Sequence, residues 1–339
     1  MRNSRIETIL VHGKDQRIGD AYLQEPFFRS LRSRFPKAKI TLVMSEGGSA
    51  YAHSLAPVTA GYLDEVIENA GICMEKAQAY AWRRPLNGRK FDLVIDMQKT
   101  WWKTLAVRRI RHRVFISASK HFLFSSRWPR SFKKPERLID QFMMLLDAVK
   151  QEPQVDLPPT VWFSPEQADL ADQLLPPGKT YVALVPGAGD RTKCWPLDRF
   201  VDLAKAQAQA GRTPVFILGP EEAEWLAPLR AAVPEAIMPG WREPAALDPA
   251  VAQPMMVSAL GSRLDVAVSN DCGTAHMLAA GGVKLVSLFG FTNGAKYQPA
   301  APVFRRLEAK SYGTKDVASI PLADVAAAVE SLLNEKPSR

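Results

Sequence analysis

The sequence predicts an α/β protein built from two doubly wound domains. Three observations predict it. Short apolar strands alternate with helical segments through both halves of the chain, the pattern of parallel sheets covered on both faces. A stiff segment, Gln151-Glu-Pro-Gln-Val-Asp-Leu-Pro-Pro159, interrupts the alternation near the middle. Several strands run directly into glycine-bearing turns, as they do where open α/β sheets meet a ligand. A chain of 339 residues is long enough for two such cores.

The elements follow in order. Ile6–Val11 is a short apolar strand, followed by the loop His12–Asp20 and a helix to about Arg34, with Phe27, Phe28 and Leu31 on its apolar face. Pro36 ends that helix. Ile40–Met44 is the second strand and Glu65–Ile67 a short third. Met74–Arg84 reads as helical, Phe91–Asp96 as a clear strand, and about Lys99 to Arg111 as a basic helix. Val114–Ile116 is a further strand, and Glu136–Val149 a helix with Leu138, Phe142, Leu145, Leu146 and Val149 on one side. The domain boundary falls in the proline-rich connector, giving domains 1–155 and 156–339. Beyond it come helix Pro165–Leu175, strand Tyr181–Val185, a helix to Ala210, strand Pro214–Leu218, helix Glu221–Ala232 and a helix around Pro249–Leu260. Strands Asp265–Val268 and Lys284–Leu288 flank the apolar helix Met277–Ala280, and Leu322–Leu333 is the last helix.

Two strand ends carry candidate chemistry. Tyr181–Val185 leads into Pro186-Gly187-Ala188-Gly189 and then Asp190-Arg-Thr-Lys-Cys-Trp-Pro196. Gly187 lets the backbone turn tightly and approach a ligand, and Pro196 suits the opening of the next helix. Arg191 and Lys193 make the expected ligand anionic; an ordinary loop with two solvated cations is the competing reading. Asp265–Val268 leads into Ser269-Asn-Asp-Cys-Gly-Thr-Ala-His276. There Gly273 and Thr274 would present free N–H groups at a helix start, an anion site with His276 on its first turn. The alternative is that Asp271 merely caps the helix and His276 is a satisfied, half-buried side chain.

Composition narrows the class. Hydrophobic residues at 47% and charged residues at 23% are those of a soluble globular protein. No run approaches the roughly 20 apolar residues of a membrane helix, and the amino terminus lacks the apolar core of a signal peptide. Cys73, Cys194 and Cys272 are scattered, which fits reduced thiols in a cytoplasm and neither a disulfide framework nor a zinc cluster. Residues 1–150 hold 27 Lys and Arg against 14 Asp and Glu; residues 151–339 hold 17 against 21. The excess concentrates between Lys99 and Arg137, where Glu136 is the only acid and Trp101, Trp102, Phe115, Phe122, Phe124, Trp128 and Phe132 are interleaved. Such a stretch suits an anionic membrane face or acidic acceptor. Nucleic acid is the rival partner, but it leaves the two anion turns in the acidic half unexplained. A dinucleotide-dependent oxidoreductase requires Gly-x-Gly-x-x-Gly after a strand, and no such run occurs.

Together the two turns resemble the carboxyl-terminal half of family 9 glycosyltransferases, the heptosyltransferases of lipopolysaccharide core synthesis. Pro186-Gly-Ala188 with Lys193-Cys-Trp-Pro196 matches that family's Pro-Gly-Ala turn and Lys-x-Trp-Pro; Asn270, Asp271, Gly273 and His276 match its Asn-Asp-x-Gly-x-x-His. The resemblance covers most of the chain and is strongest from Tyr181 to Gly290. It implies a GT-B arrangement, with the active site in a cleft between the domains and a final helix able to pack back on the first. It implies an inverting transfer of heptose from ADP-heptose to an anionic, lipid-linked glycan at the cytoplasmic face of the inner membrane. No cofactor is implied. No Asp-x-Asp occurs to hold a metal, so Lys193, the Gly273 and Thr274 amides, and Arg191 and His276 with them, would stabilise the leaving diphosphate. The donor site implied comprises Pro186, Gly187, Lys193, Glu222, Asp271, Gly273, Thr274 and His276; Glu222, or else Glu221, would accept ribose hydroxyls. Gly19-Asp20 and Pro26 match the family's pattern after the first strand, which makes Asp20 the general base. Its rival role is as N-cap of a helix beginning at Ala21, with His12 and Asp15 as outside candidates for the base. Lys99 stands where the family has glycine; Lys103, with Arg108, Arg109 and Arg111, would face the acceptor.

Overall fold

The computed structural model describes residues 5–81, 83–242 and 246–335. The chain divides into two compact units between Thr160 and Val161. That is five residues beyond the boundary expected at 155/156, and the reason is local. The Gln154 amide donates to Ser33 O at 2.9 Å, and the Tyr62 and Thr160 hydroxyls meet at 2.8 Å, so the connector is stitched onto unit 1 as far as Thr160.

Unit 1 runs β1 (Thr8–Gly13), α1 (Ile18–Arg34), β2 (Lys39–Met44), α2 (Ala56–Thr59), β3 (Glu65–Ile67), β4 (Lys90–Asp96), α3 (Trp101–Arg108), β5 (Arg111–Ser117) and α4 (Leu138–Val149). Its five strands are all parallel, in the order β3-β2-β1-β4-β5. Ile9, Leu10 and Val11 are fully buried, because helices cover both faces of a doubly wound sheet. On one side Phe27 of α1 meets Phe142 of α4 edge-on, ring centres 6.3 Å apart. On the other, Leu10, Val94 and Phe115 pack under Val107 and Ile110. The helix expected over Met74–Arg84 shrinks to a single turn at Lys76–Ala79, with Trp82 outside the described residues. The basic helix stops at Arg108, because Arg111 already pairs with Lys90 in the sheet.

Unit 2 runs α5 (Pro165–Leu174), β6 (Tyr181–Val185), α6 (Leu197–Gln209), β7 (Thr213–Phe216), α7 (Leu226–Ala232), the antiparallel pair β8 (Trp241–Arg242) and β9 (Ala246–Leu247), α8 (Pro254–Gly261), β10 (Val266–Asn270), α9 (Gly273–Ala280), β11 (Lys284–Phe289), β12 (Phe304–Glu308) and α10 (Leu322–Asn334). Its main sheet is parallel in the order β12-β11-β10-β6-β7. Strand β12 went unforeseen. The helix expected from Glu221 begins instead as a tight turn over Pro220–Trp225. Helix α10 buries Val325, Val329 and Leu332 in unit 2's own core beside Val268 and Val286.

One packing detail positions the site. Helices α8 and α9 touch through glycine: a Cβ on Gly261 would lie 2.6 Å from Leu278 O, and one on Gly281 would run into Ser258 O. Gly281 has φ −75°, a conformation open to any residue, so substitution there tests packing alone. Gly281→Ala is expected to lose about 1–3 kcal/mol by forcing the helices apart, measured by urea unfolding; unchanged stability would show that the helices separate without cost.

Candidate active site

In unit 2 the strand order reverses between β6 and β10, which are neighbours although β7 intervenes in sequence. Such a switch point opens a crevice at the carboxyl ends of the strands. Asn270, fully buried at the end of β10, closes it from below. Its Oδ1 accepts from the Trp195 amide at 3.0 Å, and its Nδ2 donates to Pro186 O at 2.8 Å. The turn after β6 and the approach to α6 are thereby fixed to β10. Trp195 is itself buried, donating its indole N–H to Ile320 O at 2.9 Å. The motif's tryptophan and asparagine thus build the turn, and the cations ride on it.

Lys193 Nζ lies 2.8 Å from Asp271 Oδ2 and 5.7 Å from the centre of the Phe291 ring. The pair joins the two sequence motifs directly, 78 residues apart. Asp271 therefore holds Lys193 and does not cap α9, whose N-cap is Cys272. Gly273 is the first residue of α9 and Thr274 the second, at the positive end of the helix, where the Thr274 and Ala275 amides also approach the Cys272 sulfur. Arg191 stacks on Trp225 at 4.2 Å and donates to Glu221 O and Glu224 Oε1 at 3.0 and 3.2 Å, which directs it to the loop after β7. Burial pushes the His276 imidazole down to about 4, against a smaller upward pull from Asp271. His276, half-buried on the first turn of α9, is therefore held toward its neutral form.

Glu222 is buried, its Oε2 accepting from the Gly219 amide at 2.8 Å. A Cβ on Gly187 would run into its carboxyl group, so a side chain there would make the Glu222 carboxyl group shift. Burial raises the Glu222 carboxyl, opposed by the Gly219 amide. Pro186, Gly187, Lys193, Asp271 and Gly273 thus gather at one switch point, with Glu222 against Gly187.

Unit 1 has its switch point between β1 and β4. There His12 Nδ1 lies 2.9 Å from Asp96 Oδ1 and Nε2 2.5 Å from Ser45 Oγ, with both His12 and Asp96 fully buried. The Asp96 carboxyl group takes the Nδ1 hydrogen bond, and Nε2 is paired with the Ser45 hydroxyl, which also lies 3.3 Å from Gly13 O. Thr104 and Ser117 hydroxyls donate to Asp96 Oδ2 at 2.7 and 3.1 Å, and the Gln98 amide to Oδ1 at 3.0 Å. His12, an outside candidate for the base, is sealed into this network. The signal for it was two adjacent apolar strands each ending in a polar, ionisable residue.

Asp20 lies in the first turn of α1, which starts at Ile18 with Arg17 as N-cap. The expected N-cap role for a helix beginning at Ala21 is thereby corrected. Instead the carboxyl group reaches back to the Arg17 amide, as the third residue of a capping box does. Burial raises its pKa, that bond lowers it, and Asp15 adds a smaller upward push. Lys103 stays near this edge, 3.9 Å from Glu46 Oε1 and with its carbonyl accepting from the Cys73 thiol. Arg108, Arg109 and Arg111 do not. Helix α3 runs back along the sheet and delivers them to the start of β5, whose seven residues span roughly 20 Å.

Two doubly wound parallel-sheet units in one chain are the fold of the GT-B glycosyltransferases. Residues 79–318 match the model of glycosyltransferase family 9 (heptosyltransferase), and the chain belongs to that family. It is 26% identical to lipopolysaccharide heptosyltransferase 3 of Escherichia coli, over 93% of this chain and 96% of the relative. The same enzyme of Escherichia coli strain K12 is 24% identical over 94% and 96%. Among solved structures, a glycosyl transferase family 9 protein from Veillonella parvula shares the fold at a TM-score of 0.66 and 22% identity, covering 97% and 98% of the two chains. The E. coli heptosyltransferase WaaC with ADP gives 0.63 at 17%, covering 96% and 99%.

The depressed His276 has a measurable consequence. Between about pH 6.5 and about 4 the unfolded chain takes up a proton that the folded protein resists, so His276 costs stability progressively as pH falls through that window. The melting temperature of wild type relative to His276→Gln is expected to drop across it; a constant difference would place the imidazole in contact with solvent.

Proposed function

We propose that the protein transfers heptose from ADP-heptose, with inversion and without a metal ion, to the lipopolysaccharide inner core or a related anionic glycan. That acceptor is carried on lipid at the cytoplasmic face of the inner membrane. The observation that carries the donor half is the Lys193–Asp271 pair beside the start of α9, at the unit 2 switch point. The names of the E. coli relatives, and a solved relative described with ADP, support the choice of sugar nucleotide. Another nucleotide sugar is the alternative within the family.

In this reading the diphosphate takes hydrogen bonds from Lys193 and from the Gly273 and Thr274 amides. Asp271 fixes the ammonium in place beforehand, so little reorganisation is needed as charge develops on the leaving oxygen. Glu222 accepts from the ribose hydroxyls. On the acceptor side, Asp20 takes the hydroxyl proton as the oxygen attacks the anomeric carbon and the bond to ADP breaks. A carboxyl group raised by burial is a better base than an exposed one. Lys103 is the cation placed to meet the acceptor's charge.

Lys193→Ala is expected to lower kcat/KM for the nucleotide sugar by about 10- to 100-fold, with EDTA present throughout, since a charge-assisted bond to phosphate is lost. An unchanged ratio would make Lys193 a solvated loop residue, and activity restored only by magnesium would end the metal-free reading.

Asp20→Asn separates chemistry from folding. Asparagine can still accept from the Arg17 amide, so the melting temperature should stay near wild type. Single-turnover transfer should fall by roughly 100- to 10,000-fold. A variant keeping more than about a tenth of the rate would move the base elsewhere in residues 12–20.

A further inference from the structure

We propose that the edge of unit 1 beside β5 is a docking surface for an anionic phospholipid membrane, with a cationic cavity that receives headgroup phosphates. The segment after β5 folds back along that strand: the Ser126 amide donates to Phe115 O at 2.8 Å, and Ser125 and Ser126 hydroxyls take the Ser117 and Phe115 amides at 2.9 and 3.0 Å. Further on, the Arg130 amide donates to Asp147 Oδ2 at 2.6 Å, which pins the segment to α4. On this fixed backbone three large apolar side chains face solvent: Leu123 is 70% exposed, Trp128 53% and Phe132 53%. Within ten residues of a pinned loop, a leucine, a tryptophan and a phenylalanine, the last packed edge-on against Phe122, thus offer apolar surface to a partner.

The chemistry around them says which partner. From Met97 to Pro135 the chain contains no acidic residue, and Lys120, Arg127, Lys133 and Lys134 lie among the exposed apolar groups. Arg127 also lines a cavity of about 370 Å³ at the amino-terminal edge of the sheet, with Arg5, Lys37, Arg113, Lys150 and the ring of Phe35. Among the described residues no carboxylate lines it. Asp92, 3.6 Å from Arg113, offsets one of the five cations, and Arg127 is oriented by donating to Val149 O at 2.8 Å. Cations with interfacial tryptophan and aliphatic groups are what a headgroup layer over acyl chains selects. Arg130 adds less, because Asp147 and Glu152 already pair with it.

The inference rests on the reading that the acceptor lies at a membrane, but its test measures lipid and not transfer, so the two can fail separately. The full-length protein is sedimented with vesicles of phosphatidylglycerol and phosphatidylcholine, or phosphatidylcholine alone, at low and high salt. Wild type should bind the mixed vesicles, more weakly at high salt, and bind phosphatidylcholine poorly. Leu123→Ser/Trp128→Ser/Phe132→Ser should weaken binding at least about tenfold. Lys37→Gln/Arg127→Gln/Lys150→Gln should weaken it on the order of 100-fold, at roughly fivefold per cation. Should that variant melt early, Lys37→Gln/Lys150→Gln alone, expected to lose on the order of 20-fold, replaces it. Absence of binding to mixed vesicles, equal binding to neutral ones, or wild-type affinity in a well-folded apolar variant would each overturn the assignment.

Discussion

The buried amide of Asn270 is the constraint on which the donor side depends. A parallel sheet ends with carbonyls and amides that the next loop must satisfy, and at a switch point the two loops leave in opposite directions. Asn270 has one acceptor and one donor group to offer, and spends them on the Trp195 amide and the Pro186 carbonyl. Both segments leave β6 within eleven residues, so one side chain on β10 sets the path of the whole turn. Neither aspartate nor leucine could replace it: the first cannot donate when ionised, and the second would leave both backbone groups unpaired at about 1–3 kcal/mol each. Lys193 and Gly187 hold their places because that bridge does.

Charge follows from the same arrangement. Unit 2 carries the acidic half of the sequence, yet its switch point presents a lysine and the start of a helix. Net charge of a unit therefore does not tell the charge at its switch point; local geometry does. Asp271 shows why a carboxylate can belong in such a site. At 2.8 Å it holds an otherwise mobile ammonium in one rotamer, and ordering a lysine costs about 1–2 kcal/mol of side-chain entropy when it is done at the moment of binding. Here the order exists beforehand.

Much of this was legible in the sequence, and the remainder fails for identifiable reasons. Apolar runs such as Tyr181–Val185 revealed the central strands because burial on both faces leaves no room for polar residues. Strand β12 escaped because it lies at the sheet edge, where Arg305 and Arg306 are tolerated and no apolar run forms. Met74–Arg84 has helical residues, but it packs as a single turn under α3, so tertiary context overrode propensity. The positions of the two glycine-bearing turns at strand ends were legible because glycine, lysine and asparagine stand there at fixed spacing after apolar runs. The Lys193–Asp271 contact was not, since pairing across 78 residues follows only from the strand order. Arg108, Arg109 and Arg111 were assigned to the acceptor by charge, and charge carries no information about which edge of a sheet a residue occupies.

The two units solve the same problem with different chemistry, and the difference bears on their roles. Unit 2 bridges its switch point with a neutral amide, leaving the lysine and the helix start as the charged groups there. Unit 1 bridges β1 and β4 with His12 and Asp96, and four donors converge on that carboxyl group from His12, Gln98, Thr104 and Ser117. Thr104 lies one residue beyond Lys103 on α3, and Ser45 follows β2 directly, so the network joins four strands to the first turn of that helix. A satisfied buried network of this kind is rigid, because losing any member leaves the others unpaired in a medium of low dielectric. What it does not provide is a free proton acceptor, since both ring nitrogens of His12 are occupied. The base proposed for the transfer accordingly lies outside the network, on an element the network holds still. Asp20, on the helix that follows β1, has its pKa raised by burial against the opposing Arg17 amide and Arg17 charge, and is the residue proposed for that role.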